Sequence, residues 1–497
     1  MLENLVSGFG YAFQQHSLAA LCAGTLIGYF IGAMPGLNPT LGISLLIPFT
    51  FGMKPIPAMI LLSSLYMACE YGGAITAILI NTPGTSAAAA TALDGYPLTL
   101  QGKAGKALGI SIISSGLGSF FSTLLLIAFA IPLARFALSF GGPEYFALAL
   151  FGLSIVSSLA SDSLIKGWSA AIMGLLFSCV GMDTINGVGR YTPHLYLLEG
   201  LPFIAVMIGL FAISEVFVLL EGRSGKGENF TGRVDALPTG AEMKSCGITV
   251  VRGTLIGFIV GIIPAAGANI ASWVSYNDAK RRSRSPELFG NGALEGIAAS
   301  ESANNSAVSG ALVPLLTLGI PGSSAAAVLI GALTIQGLQP GPLLFTRNPE
   351  IPYSIFAAFL LSAPLMTVFG LTCSKFFARV SSVPDEILAF CIFGVCVLGT
   401  YAIGNSMFHV WVSLGFGVLG YFMRKFGFPT APMVLAIVLG PMAETNLRLA
   451  LLMGGGNAGI FFSRPISLVI ILVSLASFLS PIFKNIVHKK LSSREGQ

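Results

Sequence analysis

The sequence predicts an all-α polytopic membrane protein. Three observations carry that prediction: few charges, apolar runs recurring along the whole chain, and a pattern written twice. Of the 497 residues 54% are hydrophobic and 9% charged, whereas a soluble domain carries about a quarter charged residues. Apolar runs close to the ~20 residues that cross hydrocarbon fall at 17–34, 106–134, 144–160, 164–181, 201–220, 249–264, 352–376, 385–402, 406–423, 429–447 and 465–483. Between these eleven plain spans lie segments interrupted by Gly and Pro.

Taken from the N-terminus, the first Lys or Arg is Lys54. The opening stretch therefore lacks the basic region of a cleavable signal peptide, and the first span is expected to insert the chain. The net charge of +5 does not point to nucleic acid, because basic residues of membrane proteins gather in cytoplasmic loops. The seven cysteines show no metal-ligand spacing, and the four histidines are scattered. No cofactor and no metal centre are expected.

The duplication is explicit. GTLIGYFIGAMP, Gly24 to Pro35, returns as GTLIGFIVGIIP, Gly253 to Pro264, with seven identical positions of twelve and glycines at GxxxG spacing in both. PGTSAAA, from Pro83, returns as PGSSAAA, from Pro321. The register continues downstream, where Pro143, Phe151, Trp168 and Gly174 match Pro384, Phe393, Trp411 and Gly417. The expected organisation is a first membrane repeat over 1–222, a polar linker over 223–247, a second repeat over 248–484 and a basic tail over 485–497. Basic loops near Lys375 and Arg379, near Arg424 and Lys425, and in the tail place those regions, and the C-terminus, in the cytoplasm. The first half has only Arg135, Lys166 and Arg190 in the matching loops, which permits inverted repeats. Duplicated halves with breaks at matching positions are the pattern of secondary transporters and point at the binding site.

Within hydrocarbon a helix can be interrupted only where protein or a water-filled cavity takes up the freed backbone groups. Pro83-Gly84 and Pro321-Gly322 are such breaks, each followed by hydroxyls and a run of alanines. A half-helix restarting there offers free N–H groups and a positive dipole end to an anion. Thr82, Thr85, Ser86, Ser323 and Ser324 are therefore candidate substrate ligands, on tips expected to meet near the midplane. A tight turn at the membrane surface is the alternative for either tip alone. A second pair of breaks, at Pro35 and Pro264, carries Asn38, Thr40, Asn269 and Ser272. These uncharged oxygens suit substrate groups at Asn38 and Thr40 and a coupling cation, Na+ or H+, at Asn269 and Ser272. Asn304 and Asn305 join the substrate candidates and Glu301 the cation candidates, since they precede a segment that must enter the membrane. For that stretch the alternative is a helix cap on a solvated edge. Glu70, Asp94, Glu215, Glu444 and Arg448 also border apolar runs, and charge buried in a membrane is costly enough to be worth tracing.

Other function classes find less support. An intramembrane enzyme on a lipid-linked substrate would need a G-x-S-x-G elbow, an H-E-x-x-H pair or grouped acids within a span, and none is present. GFGVLG (415–420) and GGGNAG (454–459) fit G-x-G-x-x-G but lie in no βαβ unit, and glycines so spaced in spans permit close packing. A passive anion channel would lack saturable, gradient-driven accumulation. The run KRRSR (280–284) suits a cytoplasmic anchor.

GLNPTLG (36–42), YGGAITAILINTPGTSAAAATALDGYPL (71–98), GIIPAAGANIASWVSY (261–276) and the run from 295 to 345 resemble the large membrane subunit of the tripartite tricarboxylate transporter family. The resemblance covers essentially the whole chain. It implies a multi-pass permease of a bacterial or archaeal inner membrane, driven by an ion gradient and taking up citrate-like or other carboxylates. It further implies two partners, a small four-helix membrane subunit and an extracytoplasmic solute-binding protein, and no ATP-binding subunit. The carry-over falls on Asn38, Thr40, Thr82 to Ser86, Asn304, Asn305 and Pro321 to Ser324. Two positions depart from the family's pattern: Ala265, where a Gly commonly follows Pro264, and Ser300, where a Pro commonly precedes Glu301.

Overall fold

The computed structural model describes residues 2–34, 37–154, 163–183, 186–222, 237–264, 266–380 and 384–478, the side chains of 374–380 and 385 excepted. They form an all-α polytopic membrane protein. The helices are α1 (Leu2–Ala12), α2 (Gln15–Gly32), α3 (Pro39–Thr50), α4 (Pro55–Ile80), α5 (Ala89–Leu100), α6 (Ala104–Ala137), α7 (Gly142–Ser154) and α8 (Leu164–Ser178). They continue as α9 (Phe203–Leu220), which holds a π-helical stretch, α10 (Gly240–Ile262), α11 (Gly267–Arg282), α12 (Leu294–Leu318), α13 (Ser324–Ile335) and α14 (Pro342–Arg347). The last are α15 (Glu350–Val380), α16 (Asp385–Gly404), α17 (Met407–Lys425), α18 (Thr430–Met453), α19 (Ile460–Ser463) and α20 (Pro465–Phe478). The described strands are β1 (Gly181–Met182) and β2 (Gly189–Arg190), an antiparallel pair with Gly181 opposite Arg190. Seven described helices are long and apolar enough to cross a membrane. One of them, α4, is absent from the plain spans expected from sequence, because Ser63, Ser64 and Glu70 dilute its apolar pattern.

The chain forms two compact units, residues 1–135 with 204–421 and residues 136–203 with 422–497. In the first, α4 and α12 run through the interior. The most apolar stretch of α4 is 94% buried, and α12 is buried from Gly296 to Thr317. Glycines bring their neighbours to backbone contact, as GxxxG spacing allows. A Cβ on Gly28 of α2 would stand 2.5 Å from the Leu65 carbonyl oxygen of α4, and one on Gly261 of α10 would stand 2.5 Å from the Ala307 carbonyl oxygen of α12. The opposite stripe of α10, Ile248, Val251, Leu255 and Ile259, is exposed, as befits a face turned to lipid.

Helix α10 starts at Gly240, so residues 240–247 of the expected linker are helical. The reason is a capping box: the Glu242 backbone N–H donates to Thr239 Oγ1 (3.3 Å), and the Thr239 N–H donates to Glu242 Oε2 (2.7 Å). Lys106 of α6 ties Glu242 down at 2.6 Å. Residues 223–236 of the linker and the tail 485–497 lie outside the described residues.

In the second unit α18 packs against α7 and α8. A Cβ on Gly174 would come within 2.8 Å of Ala436 Cβ, and one on Gly142 within 3.0 Å of the Ala450 nitrogen. Arg448 reaches Asp183 (2.8 Å) and Glu444 (2.8 Å), Arg190 pairs with Glu444 (2.7 Å), and Arg464 pairs with Glu144 (2.7 Å). Of the ionisable candidates, Glu444 and Arg448 are thus members of an ion-pair network.

Candidate functional site

Both central helices end in the same way. α4 stops at Asn81 (φ 54°) and α12 at Gly319 (φ 73°), each in the left-handed region, two residues before a proline. Asn and Gly are the residues that take this conformation readily. The freed N–H groups turn back on their own helix: Thr82 donates to the Thr76 carbonyl (3.3 Å), Ile320 to the Pro314 carbonyl (3.2 Å) and Gly84 to the Gly73 carbonyl (3.1 Å). A twelve-residue helix follows each break, α13 directly and α5 after a 3-10 turn at Ser86–Ala88.

Glycines seat the tips. A Cβ on Gly84 would run into the Gly32 carbonyl and stand 2.8 Å from Gly73 Cα, and one on Gly322 would stand 2.6 Å from Ala311 Cα. Gly73 in turn lies against Thr85, where a Cβ would be 2.5 Å from the backbone nitrogen. Gly32, Gly72, Gly73 and Gly84 therefore make one slot, with Gly261, Gly310, Ala311 and Gly322 the corresponding set. Sequence reasoning missed this role for Gly72, Gly73 and Gly310. Their spacing before the two prolines, eleven residues from Gly72 to Pro83 and from Gly310 to Pro321, was the available signal.

The expected ligands have different fates. Ser323 caps α13, accepting from the Ala326 N–H (3.1 Å), and its hydroxyl also pairs with Tyr66 Oη of α4 (2.8 Å). Ser324 pairs with Thr40 at 3.0 Å, which joins a first-half break to a second-half tip. Asn38 spends its Oδ1 on capping α3, at the Leu41 N–H (2.9 Å). In the first-half tip, Thr82 donates to the Ile80 carbonyl (3.2 Å) and Ser86 is exposed. Thr85 is 4% exposed and makes no cap, and its hydroxyl meets no protein partner. Of the two restarts, the one at Ser323 has a side-chain cap and the one at Thr85 has none. Pro83 is half-buried and Gly84, Pro264, Pro321 and Gly322 are buried, while Pro35 lies outside the described residues. Tyr66 and Gly73, the residues that receive the two tips, are seven positions apart on α4, about 10 Å along its axis.

The stretch 296–310 is enclosed and forms no solvated edge. Asn304 Nδ2 donates to the Glu70 carbonyl (3.2 Å), leaving its Oδ1 without a protein partner. Asn305 Oδ1 accepts from Ser119 (3.5 Å), and its Nδ2 has no protein partner. Glu301 accepts from Thr91 Oγ1 (2.5 Å) and Ser115 Oγ (2.8 Å). The three cation candidates are not gathered at one point. Asn269 is exposed, and Ser272 donates to the Ala268 (2.9 Å) and Ser300 (3.3 Å) carbonyls. Among the described residues no group of three or more His, Cys, Asp and Glu could hold a metal ion.

Asp94 has a structural task. Its Oδ1 accepts from the N–H groups of Gly290 (2.8 Å), Gly292 (3.0 Å) and Ala293 (2.9 Å), which fixes the start of α12 against α5. A carboxylate that collects several backbone donors at a helix start is stabilised there by both hydrogen bonds and dipole.

Interior helices that break at paired, glycine-seated tips, with hydroxyls and amides turned inward, are the build of a membrane transport protein. Residues 18–435 match the tripartite tricarboxylate transporter TctA family, and the chain belongs to that family. It is 36% identical over 491 residues to an uncharacterized 52.8 kDa protein in the TAR-I ttuC' 3' region of Agrobacterium vitis, covering 99% of this chain and 98% of the relative. A second Agrobacterium vitis protein, in the TAR-II ttuC' 3' region, is 34% identical over 47% of this chain and 97% of its own length. No solved structure matches the chain.

Proposed function

We propose that this chain is the permease of a secondary active system that takes up tricarboxylates or related carboxylates, driven by a cation gradient. Family membership supports a tricarboxylate transporter component. The observation that carries the reading to a site is the first-half tip, where the Thr85 hydroxyl is enclosed without a protein partner in a glycine slot against α4. A buried hydroxyl left unpaired costs about 1–3 kcal/mol, and a solute carboxylate at that point recovers it. Thr40, Thr82, Ser86, Asn38, Asn304, Asn305, Ser323 and Ser324 complete the proposed substrate set. Asn269, Ser272 and Glu301 remain the proposed cation set.

In this reading the halves are inverted repeats whose tips approach the midplane of a bacterial or archaeal inner membrane, and the C-terminus is cytoplasmic. A small four-helix membrane subunit and an extracytoplasmic solute-binding protein complete the system. The test is uptake of labelled citrate into proteoliposomes that hold this chain and the small subunit, with and without the binding protein, under an imposed Na+ or pH gradient. Accumulation that needs all three supports the reading. Thr85→Leu and Ser323→Leu are expected to abolish uptake at normal membrane yield, and normal uptake in both sinks the proposed site.

A further inference from the structure

One end of the first unit carries a cavity that the proposed transport site does not use. It has a volume of about 480 Å³ and lies between α10, α11 and the start of α12. Its lining holds three guanidiniums, of Arg252, Arg282 and Arg284, and two carboxylates, of Asp278 and Glu295. Arg282 is taken up by Asp278, one turn before it on α11 (2.8 Å). Arg252, Arg284 and Glu295 make no hydrogen bond or ion pair with any described residue. Arg252 is half-buried within α10, a helix long and apolar enough to cross a membrane. A charged side chain at such a place is costly without a partner and marks a site. Side chains of a helix lean toward its start, which directs Arg252 to the end where Ser245 and Arg284 line the cavity. Ile248 belongs to the same lining and opens the exposed apolar stripe that continues through Val251, Leu255 and Ile259, about 16 Å along the helix.

We infer that this cavity binds the headgroup of a phospholipid of single negative charge, with the phosphodiester held by Arg252 and Arg284 and the acyl chains along the stripe from Ile248 to Ile259. The inference stands apart from the permease reading. Charge complementarity selects the ligand. Three guanidiniums against two carboxylates leave the lining one positive charge in excess, which one phosphodiester balances. Guanidinium is suited to the task because its planar fork of N–H donors matches phosphate oxygens in pairs. Glu295 accepts from the hydroxyls of a glycerol headgroup and disfavours a headgroup of higher negative charge. The shared position of Ile248 selects a lipid over a soluble phosphate ester, since it joins the charged cavity to a face turned to hydrocarbon. Basic pockets between membrane helices are a recurrent kind of headgroup site. The run from Lys280 to Arg284 is thereby divided: Arg282 and Arg284 help build the cavity, whereas Lys280 and Arg281 are exposed outside its lining.

Native mass spectrometry of the full chain in detergent, titrated with phosphatidylglycerol or with phosphatidylcholine of the same acyl chains, tests the site. The native chain is expected to retain one phosphatidylglycerol at concentrations where phosphatidylcholine is lost. Arg252→Gln and Arg284→Gln should each weaken that retention about fivefold, while Arg281→Gln, in the same basic run, should leave it at the native level. Arg284 lies outside the helices, so Arg284→Gln tests the site even where Arg252→Gln fails to fold. Equal retention of the two lipids by the native chain overturns the inference. So does an Arg281→Gln loss as large as that of Arg284→Gln, which would show diffuse surface charge and no defined cavity. Displacement of phosphatidylglycerol by an equal concentration of glycerol 3-phosphate would show a site for a soluble phosphate ester and overturn the lipid assignment.

Discussion

The glycine slots give the sharpest mechanical prediction, through Gly84→Ala and Gly322→Ala. In each case the added methyl meets backbone, which cannot rotate away: Gly73 Cα at 2.8 Å for Gly84 and Ala311 Cα at 2.6 Å for Gly322. Carbon atoms rest at about 3.5–4.0 Å, so a tip or a central helix must shift by roughly 1 Å. Overpacking of a dense interior costs about 1–3 kcal/mol, and the upper half of that range applies because the obstacle is main chain. Gly415→Ala on α17, where a Cβ would meet nothing within 4 Å, is the control and gains up to ~1 kcal/mol of helix propensity. Thermal unfolding of the purified chain in detergent is the assay. Both tip variants should melt below the native chain and Gly415→Ala at or above it. Equal melting of all four proteins would show that the slots do not hold the tips.

Three further outcomes follow from named contacts. Tyr66→Phe and Ser323→Ala each remove the 2.8 Å hydrogen bond between α4 and the second tip. A double-mutant cycle on thermal stability should give a coupling of about 1 kcal/mol, and strictly additive effects would refute the bond. Asp94→Ala leaves three N–H groups at the start of α12 without their acceptor and should cost ~3 kcal/mol or more; faster hydrogen exchange at 290–297 is the readout, with Asp94→Asn intermediate. In the second unit Arg448→Met takes an ion pair from Asp183, whose side chain is 7% exposed, and one from Glu444. That loss should cost about 1–3 kcal/mol after discounting for the half-exposed partners, and chemical denaturation unchanged from the native chain would contradict it.

Which parts of this molecule are legible in its sequence follows from what each helix touches. Helices that face lipid announce themselves by hydropathy, as α6, α15 and α16 do. The helices that matter most do not. α4 and α12 are wrapped by protein, so they can carry Glu70, Tyr66, Glu301 and the asparagines at no cost to lipid contact; these residues break the plain apolar runs, and of the two only α4 is apolar enough overall to count as a span. The breaks are legible because Pro-Gly within an apolar run has few other uses. The fate of each hydroxyl is not, since Thr85 and Ser323 occupy the same place in the same motif. One lies against Gly73 without a hydrogen-bond partner and the other reaches Tyr66, a residue 257 positions away. Asn38 shows the opposite failure. An asparagine before Pro-Thr is a ready N-cap, and that local role accounts for its Oδ1 before any ligand is invoked.

The distribution of charge ties these features together. Among the described residues, the buried carboxylates of the first unit are Glu70, Asp94, Glu215 and Glu301, and no Lys, Arg or His is buried with them. Asp94 is held by three backbone donors, which fix it in place. Glu301 is held instead by the hydroxyls of Thr91 and Ser115, and among the described residues no Lys, Arg or His is buried beside it. If the tips take a carboxylated solute, as proposed, it meets hydroxyls, amides and helix starts but no guanidinium or ammonium among the described buried residues. Such groups orient an anion without neutralising it, and an unneutralised anion in a low-dielectric interior is expensive. On the proposed reading, a solute carboxylate bound there is expected to need a cation that arrives with it, because no Lys, Arg or His is buried among the described residues.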